Sequence, residues 1–258
     1  MRAERVTRVA VVSTAVATGT PDRRKAINRV LLKLAEDPEL PIFGQQGRAD
    51  RVEFLKDSPG KLPAKLFSFK TVRYASGTAL IGVGQRSTTG WEKAVNEYLG
   101  NKETEQKALA ALHDLWAGLS ELTPYADVLS GSVSAKELRE NTYLASAGVL
   151  YAIGYAVHKA VRDHGTDVRT AVRALGSVDF NRPNKTEKIT PNDTIFAGNL
   201  VDPESGKIAA GRSAWRARAT PFSKASPRTR ARESPHRARC RSSRATLNLT
   251  GPGPAAEG

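Results

Sequence analysis

Tyr143-Leu144-Ala145-Ser146-Ala147-Gly148-Val149-Leu150-Tyr151-Ala152-Ile153-Gly154-Tyr155-Ala156-Val157 is the stretch on which the fold turns. Wound as a helix it is apolar on nearly every side, the mark of an element buried all round rather than lying on a surface. Fifteen residues fall short of the ~20 that span a bilayer, so the run predicts a central core helix and not a membrane span. Just upstream, Ser134-Ala135-Lys136-Glu137 has the spacing of a capping box, in which Ser and Glu reciprocally satisfy free amides at a helix start. Together they predict one long buried helix over residues 134–163, with Gly148 and Gly154 letting neighbouring helices come close.

Working outward, other helices announce themselves by period. Ile27, Val30, Leu31 and Leu34 follow the i, i+3, i+4, i+7 pattern, predicting a helix over residues 23–37 opened by Thr20-Pro21 and stopped by Pro38 and Pro41. A short extended piece at 41–43 and a Gly44/Gly47 loop follow. Leu66, Phe69, Val72 and Ala79 share a face over residues 66–80. Thr89-Gly90-Trp91-Glu92 fits a second capping box, and a helical pattern runs from there to residue 119 with a break at Gly100-Asn101. A further helix is predicted over 168–175, and residues 194–201 and 207–209 have the pattern of a small β-hairpin around Asp202-Pro203-Glu204-Ser205-Gly206. The sequence therefore predicts a mainly α domain over residues 20–215, helical around a buried central helix, with a small β-hairpin near its end. Residues 1–19 form an N-terminal segment of no assigned structure. Its apolar stretch, residues 6–16, is broken by Arg8 and makes a poor signal peptide, so the expected setting is the cytoplasm.

The last forty-odd residues are a different kind of sequence. Residues 216–258 hold ten Lys/Arg and two acidic side chains, which is +8 of the chain's +14, and are otherwise mostly Ala, Ser, Pro, Thr and Gly, with a single Phe, two Leu and no Ile, Val, Tyr or Trp. Nothing there offers enough apolar surface to offset chain entropy, so a disordered Arg-rich C-terminal tail is expected. The abrupt change at Trp215 and the composition also fit translation of a GC-rich gene in a shifted frame, and no function is assigned to the tail.

Candidate chemistry is sparse. One cysteine, Cys240, excludes a disulfide scaffold and multi-cysteine metal sites, and four scattered histidines leave no metal-ligand spacing. Gly82-Val83-Gly84-Gln85-Arg86-Ser87 begins like a phosphate loop but has Ser87 where the third glycine belongs. Asp179-Phe180-Asn181-Arg182-Pro183-Asn184 reads as a polar loop, foremost a turn. No nucleophile elbow is present. No catalytic residue, metal or cofactor is expected.

What remains is charge. Lys56, Lys61, Lys65, Lys70, Arg73 and Arg86 fall within thirty-one residues, with no acid from Ser58 to Arg86 and with Phe67, Phe69 and Tyr74 between them. Basic residues interleaved with aromatics suit a phosphate-contacting face; a solvated basic face fits the composition equally well.

These residues resemble a family. The stretch from Lys65 to Ser76, Lys-Leu-Phe-Ser-Phe-Lys-Thr-Val-Arg-Tyr-Ala-Ser, is similar to a block of DndB-type DNA sulfur modification proteins. In order there follow Trp91 at a helix start, Trp116 in the next helix, Gly131-Ser132-Val133-Ser134-Ala135-Lys136-Glu137-Leu138-Arg139, the helix around Gly148 and Gly154, Asp179-Phe180-Asn181-Arg182, and Gly211 to Trp215. The family's Asp-Gly-Gln-His-Arg motif is absent, so the chain resembles the C-terminal helical part, clipped at both ends. The resemblance implies a DNA-binding accessory and transcriptional regulatory protein of a DNA phosphorothioation system. It would have no catalysis of its own, and its partners would be double-stranded promoter DNA of the modification genes and other sulfur-modification proteins, with no membrane. Lys65, Lys70, Arg73 and Arg86 are the candidate DNA contacts. Two other readings stay open: a remnant of a nucleotide- or DNA-hydrolysing enzyme, and a gene fragment without function.

Overall fold

The computed structural model describes residues 21–208 apart from 61, 63, 85–86 and 184–187. The N-terminal segment and the basic tail lie outside the described residues. Among the described residues the fold is mainly helical: α1 (Ala26–Ala35), α2 (Phe69–Ile81), α3 (Thr88–Tyr98), α4 (Lys102–Ser120), α5 (Thr123–Ser130), α6 (Ala135–Asn141), α7 (Ala147–His164) and α8 (Val168–Arg173). Two short strands, β1 (Val52–Glu53) and β2 (Phe67–Ser68), pair in parallel with Val52 opposite Phe67 and Glu53 opposite Ser68. No described helix is long and apolar enough to cross a membrane.

α1 buries the four residues its period singled out, Ile27, Val30, Leu31 and Leu34. It starts at Ala26 rather than at residue 23, because the Asp22 carbonyl is taken by the Lys25 amide and the Asn28 side chain, which forms a turn ahead of the helix. The piece at 41–43 is a turn, not extended: Phe43 N–H donates to Leu40 O and Gly44 N–H to Pro41 O. α2 is capped by the buried Ser68, whose Oγ accepts from Thr71 N–H at 3.2 Å. α3 is capped by Ser87, not Thr89; Ser87 Oγ accepts from Gly90 N–H at 2.9 Å, which leaves Glu92 free for another task. The expected break at Gly100-Asn101 is present, with the Asn101 side chain capping α4.

At the centre Trp116 is fully buried between Phe43 and Phe67, at 4.9 and 5.5 Å between ring centroids, and its indole N–H donates to Ser76 Oγ at 2.9 Å. Tyr125 packs edge-on to Phe67 and donates its hydroxyl to Leu144 O. The most intimate packing joins α2 to α7. A Cβ on Gly154 would stand 2.4 Å from the Ala75 carbonyl oxygen, so only glycine fits there.

The long helix expected over 134–163 is two helices. The capping box at Ser134 is formed on both sides, but it opens only α6. Residues 142–146 leave the helix because a returning segment competes for their backbone. Thr142 bridges Asn181, Tyr143 N–H donates to Phe180 O, and Arg182 N–H donates to Asn141 O, both at 2.8 Å. Arg182 locks the exchange: Nε donates to Thr142 O, Nη2 to Ser146 Oγ, and the guanidinium lies 4.8 Å from the Tyr143 ring centroid. Tyr143 and Leu144 are thus fully buried outside any helix. The polar loop at 179, expected as a turn, is chiefly this pairing segment; Asp179 Oδ1 accepts from Asn181 N–H at its start. The hairpin near the end is reduced to one antiparallel bridge, Val201 with Ile208, around the turn at 202–207, while residue 209 lies outside the described residues.

Candidate nucleic-acid interface

Of the four candidate DNA contacts, α2 carries two, Lys70 and Arg73, and both border one cleft. Lys70 sits in the first turn of α2, about half exposed, with Nζ 2.5 Å from Oδ2 of the largely exposed Asp57. Arg73 follows one position short of a full turn and is 17 % exposed. Its Nη2 donates to Glu92 Oε1 at 2.9 Å and its guanidinium lies 5.2 Å from the Tyr74 ring centroid. The Arg73 Nε is buried and makes no hydrogen bond among the described residues. Lys65 turns the other way, donating from Nζ to Val52 O on β1 at 2.7 Å. The neighbouring Lys65 carbonyl accepts from Arg139, which also holds the Leu62 carbonyl. Arg86 lies outside the described residues.

Lys70 and Arg73 border a cleft of about 420 Å³ between the start of α1, the turn after β1, α2 and α3. Lys25, at the N-cap of α1, and Asn28, in its first turn, line one side, with Phe54 and Lys56 from the turn and Glu92 from α3. Glu92 is the pin of the site. One oxygen takes Lys25 Nζ and the other takes Arg73 Nη2, each at 2.9 Å. Burial pushes its carboxyl up, but Lys25 and Arg73 together outweigh burial and hold it below the ordinary range. Behind Tyr74 stands Tyr151, its ring edge-on at 5.7 Å; burial, offset in part by a hydrogen bond with Thr71, pushes its phenol up to about 12, so it stays protonated. Buried aromatic rings back the cleft: Phe69 stacks on Phe54 at 5.4 Å, and Tyr74 packs between the buried Trp91 and the Arg73 guanidinium.

Asn28 is 2 % exposed, donates from Nδ2 to Asp22 O, and has a buried Oδ1 that accepts no hydrogen bond among the described residues. Neither Asn28 nor Glu92 stood out in the sequence as a site residue. Glu92 meets a partner sixty-seven residues away, Lys25, and sits where a capping box fits, while Asn28 bonds the nearby Asp22 through its side chain and is a polar residue on the buried face of α1.

The incomplete glycine loop at residue 82 serves structure. Gly82, at φ +72, closes α2 by donating to Thr78 O, and a Cβ there would stand 3.0 Å from His158. Burial lowers the His158 pKa, which keeps that ring neutral at physiological pH with Nδ1 3.3 Å from Ala79 O. No protein-family model, curated protein or solved structure matches this chain.

Proposed function

We propose that this chain is a DNA-binding accessory and transcriptional regulatory protein of a DNA phosphorothioation system, acting in the cytoplasm on double-stranded promoter DNA of the modification genes and alongside other sulfur-modification proteins, without catalysis of its own. Lys65, Lys70, Arg73 and Arg86 are its proposed phosphate contacts, with Lys70 foremost. The observation that carries the reading is the placement of Lys70. A cation in the first turn of a helix opposes the helix dipole and so works against the fold. Its pairing with the exposed Asp57 is of the kind a phosphate displaces at little cost. Lys56 stands exposed beside it, and Arg23, Arg24 and Lys33 are exposed at and before α1. The order of the sequence blocks that resemble those of DndB-type proteins agrees with the same reading.

Gel-shift affinity for the promoter of its own operon tests this. Each neutralised phosphate steepens the dependence of log K on log salt by about 0.9, so removing charge at all four positions should weaken binding and flatten that slope by about 3 to 4. Absence of binding at low salt overturns the reading. Binding unchanged by the fourfold variant overturns the site. Phosphate release from ATP by the intact chain would replace this reading with the hydrolytic one.

A further inference from the structure

Between Glu53 and Glu92 the chain carries six basic side chains and a single acid, Asp57. The fold sets that acid on Lys70, with Oδ2 2.5 Å from Nζ. The turn after β1 arranges the meeting. Glu53, 8 % exposed, accepts the Leu55 and Lys56 amides on Oε1 at 2.8 and 3.3 Å, and a carboxylate spent on two amides fixes the path of the turn. The next residue, Phe54, stacks on Phe69, the neighbour of Lys70 in α2. Asp57 is thus carried to the head of α2 by contacts other than its own.

The pair does little for the fold. Asp57 is 77 % and Lys70 46 % exposed, and ion pairs this open to water add little stability. Its effect falls on what Lys70 can do. The run's other cations are placed differently: Lys65 donates to the Val52 carbonyl, and Arg73 to the partly buried Glu92. Among the described cations of the run, Lys70 is the one held by an exposed acid. A carboxylate oxygen and a phosphate oxygen offer an ammonium group the same charge-assisted hydrogen bond, so the two anions compete for Nζ.

We propose that Asp57 is a built-in competitor for phosphate at Lys70. In the free protein it holds the cation, and duplex DNA engages Lys70 only by displacing it. The inference rests on the DNA-binding reading above and deepens it by naming the residue that restrains the site. Affinity is thereby held below what the basic run would reach alone.

Gel-shift affinity of the full chain for its promoter duplex tests this on four proteins: the parent, Asp57→Asn, Lys70→Gln and the double variant. Asp57→Asn should bind about two- to fivefold tighter, the range that an exposed ion pair covers. A protein that misfolds does not gain affinity, so the direction of the change guards against a merely structural effect. With Lys70→Gln in place the same substitution should gain far less, because the cation it frees is gone. Glu103→Gln serves as the control. It removes the same charge from a similarly exposed pair, Glu103 with Lys107 on α4, and α4 lines no part of the cleft. Screening over about 8–10 Å should leave its duplex affinity close to the parent's.

The inference is overturned if Asp57→Asn binds no tighter than the parent, if the gain persists in full without Lys70, or if Glu103→Gln gains as much. A parent that binds its promoter with no gain on Asp57→Asn sinks this inference and leaves the DNA-binding reading standing. A parent that fails to bind at low salt while Asp57→Asn binds sinks that reading and leaves the restraint standing. Binding by none of the proteins sinks both.

Discussion

On one side of α2, Ala75 and Ala79 let α7 approach until the Ala75 carbonyl and the Gly154 backbone nearly touch. On its other side, Lys70 and Arg73 meet Asp57 and Glu92 across a cleft that retains unmatched polar atoms. The first contact is made of small residues and backbone, and it has no give. The second is made of long charged side chains that reach their partners across a gap. One helix thus anchors the fold with one face and presents chemistry with the other, and substitutions on the two faces should differ in kind as well as in size.

The largest effect belongs to Gly154. Glycine inside a helix costs about 0.5–1 kcal/mol relative to alanine, so on propensity alone Gly154→Ala should stabilise α7. The Ala75 carbonyl stands where the methyl would go and is backbone, so the two helices have to separate. Overpacking of this kind costs about 1–3 kcal/mol, so the net change should be a loss, larger still for Gly154→Leu. Urea denaturation measures it as a lower midpoint at unchanged slope. A more stable Gly154→Ala protein would erase the contrast between the two faces.

Next comes Glu92, where the charged face is most anchored. Its carboxyl sits below its ordinary 4.5, with Lys25 and Arg73 overcoming burial. A carboxyl whose folded value is depressed contributes stability that is fully present above the unfolded value and is lost as pH falls through the folded one. Glu92→Gln should therefore cost about 1–2 kcal/mol at neutral pH, since Arg73 then keeps a partly buried charge without its partner. The gap from the parent protein should close in acid, below pH 4.5. Thermal melts across that range check it. A gap that stays constant would mean that Glu92 acts by shape alone.

These sites also show where the sequence speaks and where it falls silent. The apolar period of α1, the break at Asn101 and the capping box at Ser134 are local patterns, and each forms, although the box opens the seven-residue α6 and not the long helix expected from it. The run from Tyr143 correctly marks the core. Its first residues are buried in a turn outside any helix because the segment 180–182 takes the backbone around them, a competition between chain positions some forty residues apart that no local period records. The β1–β2 pair escaped for the same reason, being two residues long on each side. In the site, Lys70 and Arg73 were legible as a basic, acid-free run. That Lys65 turns away to β1 and that Asn28 and Glu92 belong to the cleft depend on which helices meet, and a charge count carries nothing of that.

Lys70→Gln should have the smallest effect on stability and the most informative one. Its pair with Asp57 joins two exposed side chains, 46 % and 77 % accessible, and such pairs contribute about 0–1 kcal/mol. Against even that stands the position of Lys70 in the first turn of α2, where a positive charge opposes the helix dipole by about 0.3–1 kcal/mol. The two terms are similar in size and opposite in sign, so the free energy of unfolding should move by less than about 1 kcal/mol in either direction. Duplex affinity, measured on the same protein, should nonetheless fall, with a salt slope flatter by about 0.9 for the one lost phosphate contact. That split separates a charge held for the fold, as at Glu92, from a charge available to a ligand. A Lys70→Gln protein that loses as much stability as Glu92→Gln while binding DNA unchanged would place Lys70 among the anchors and leave the charged face of α2 without a free cation at its head.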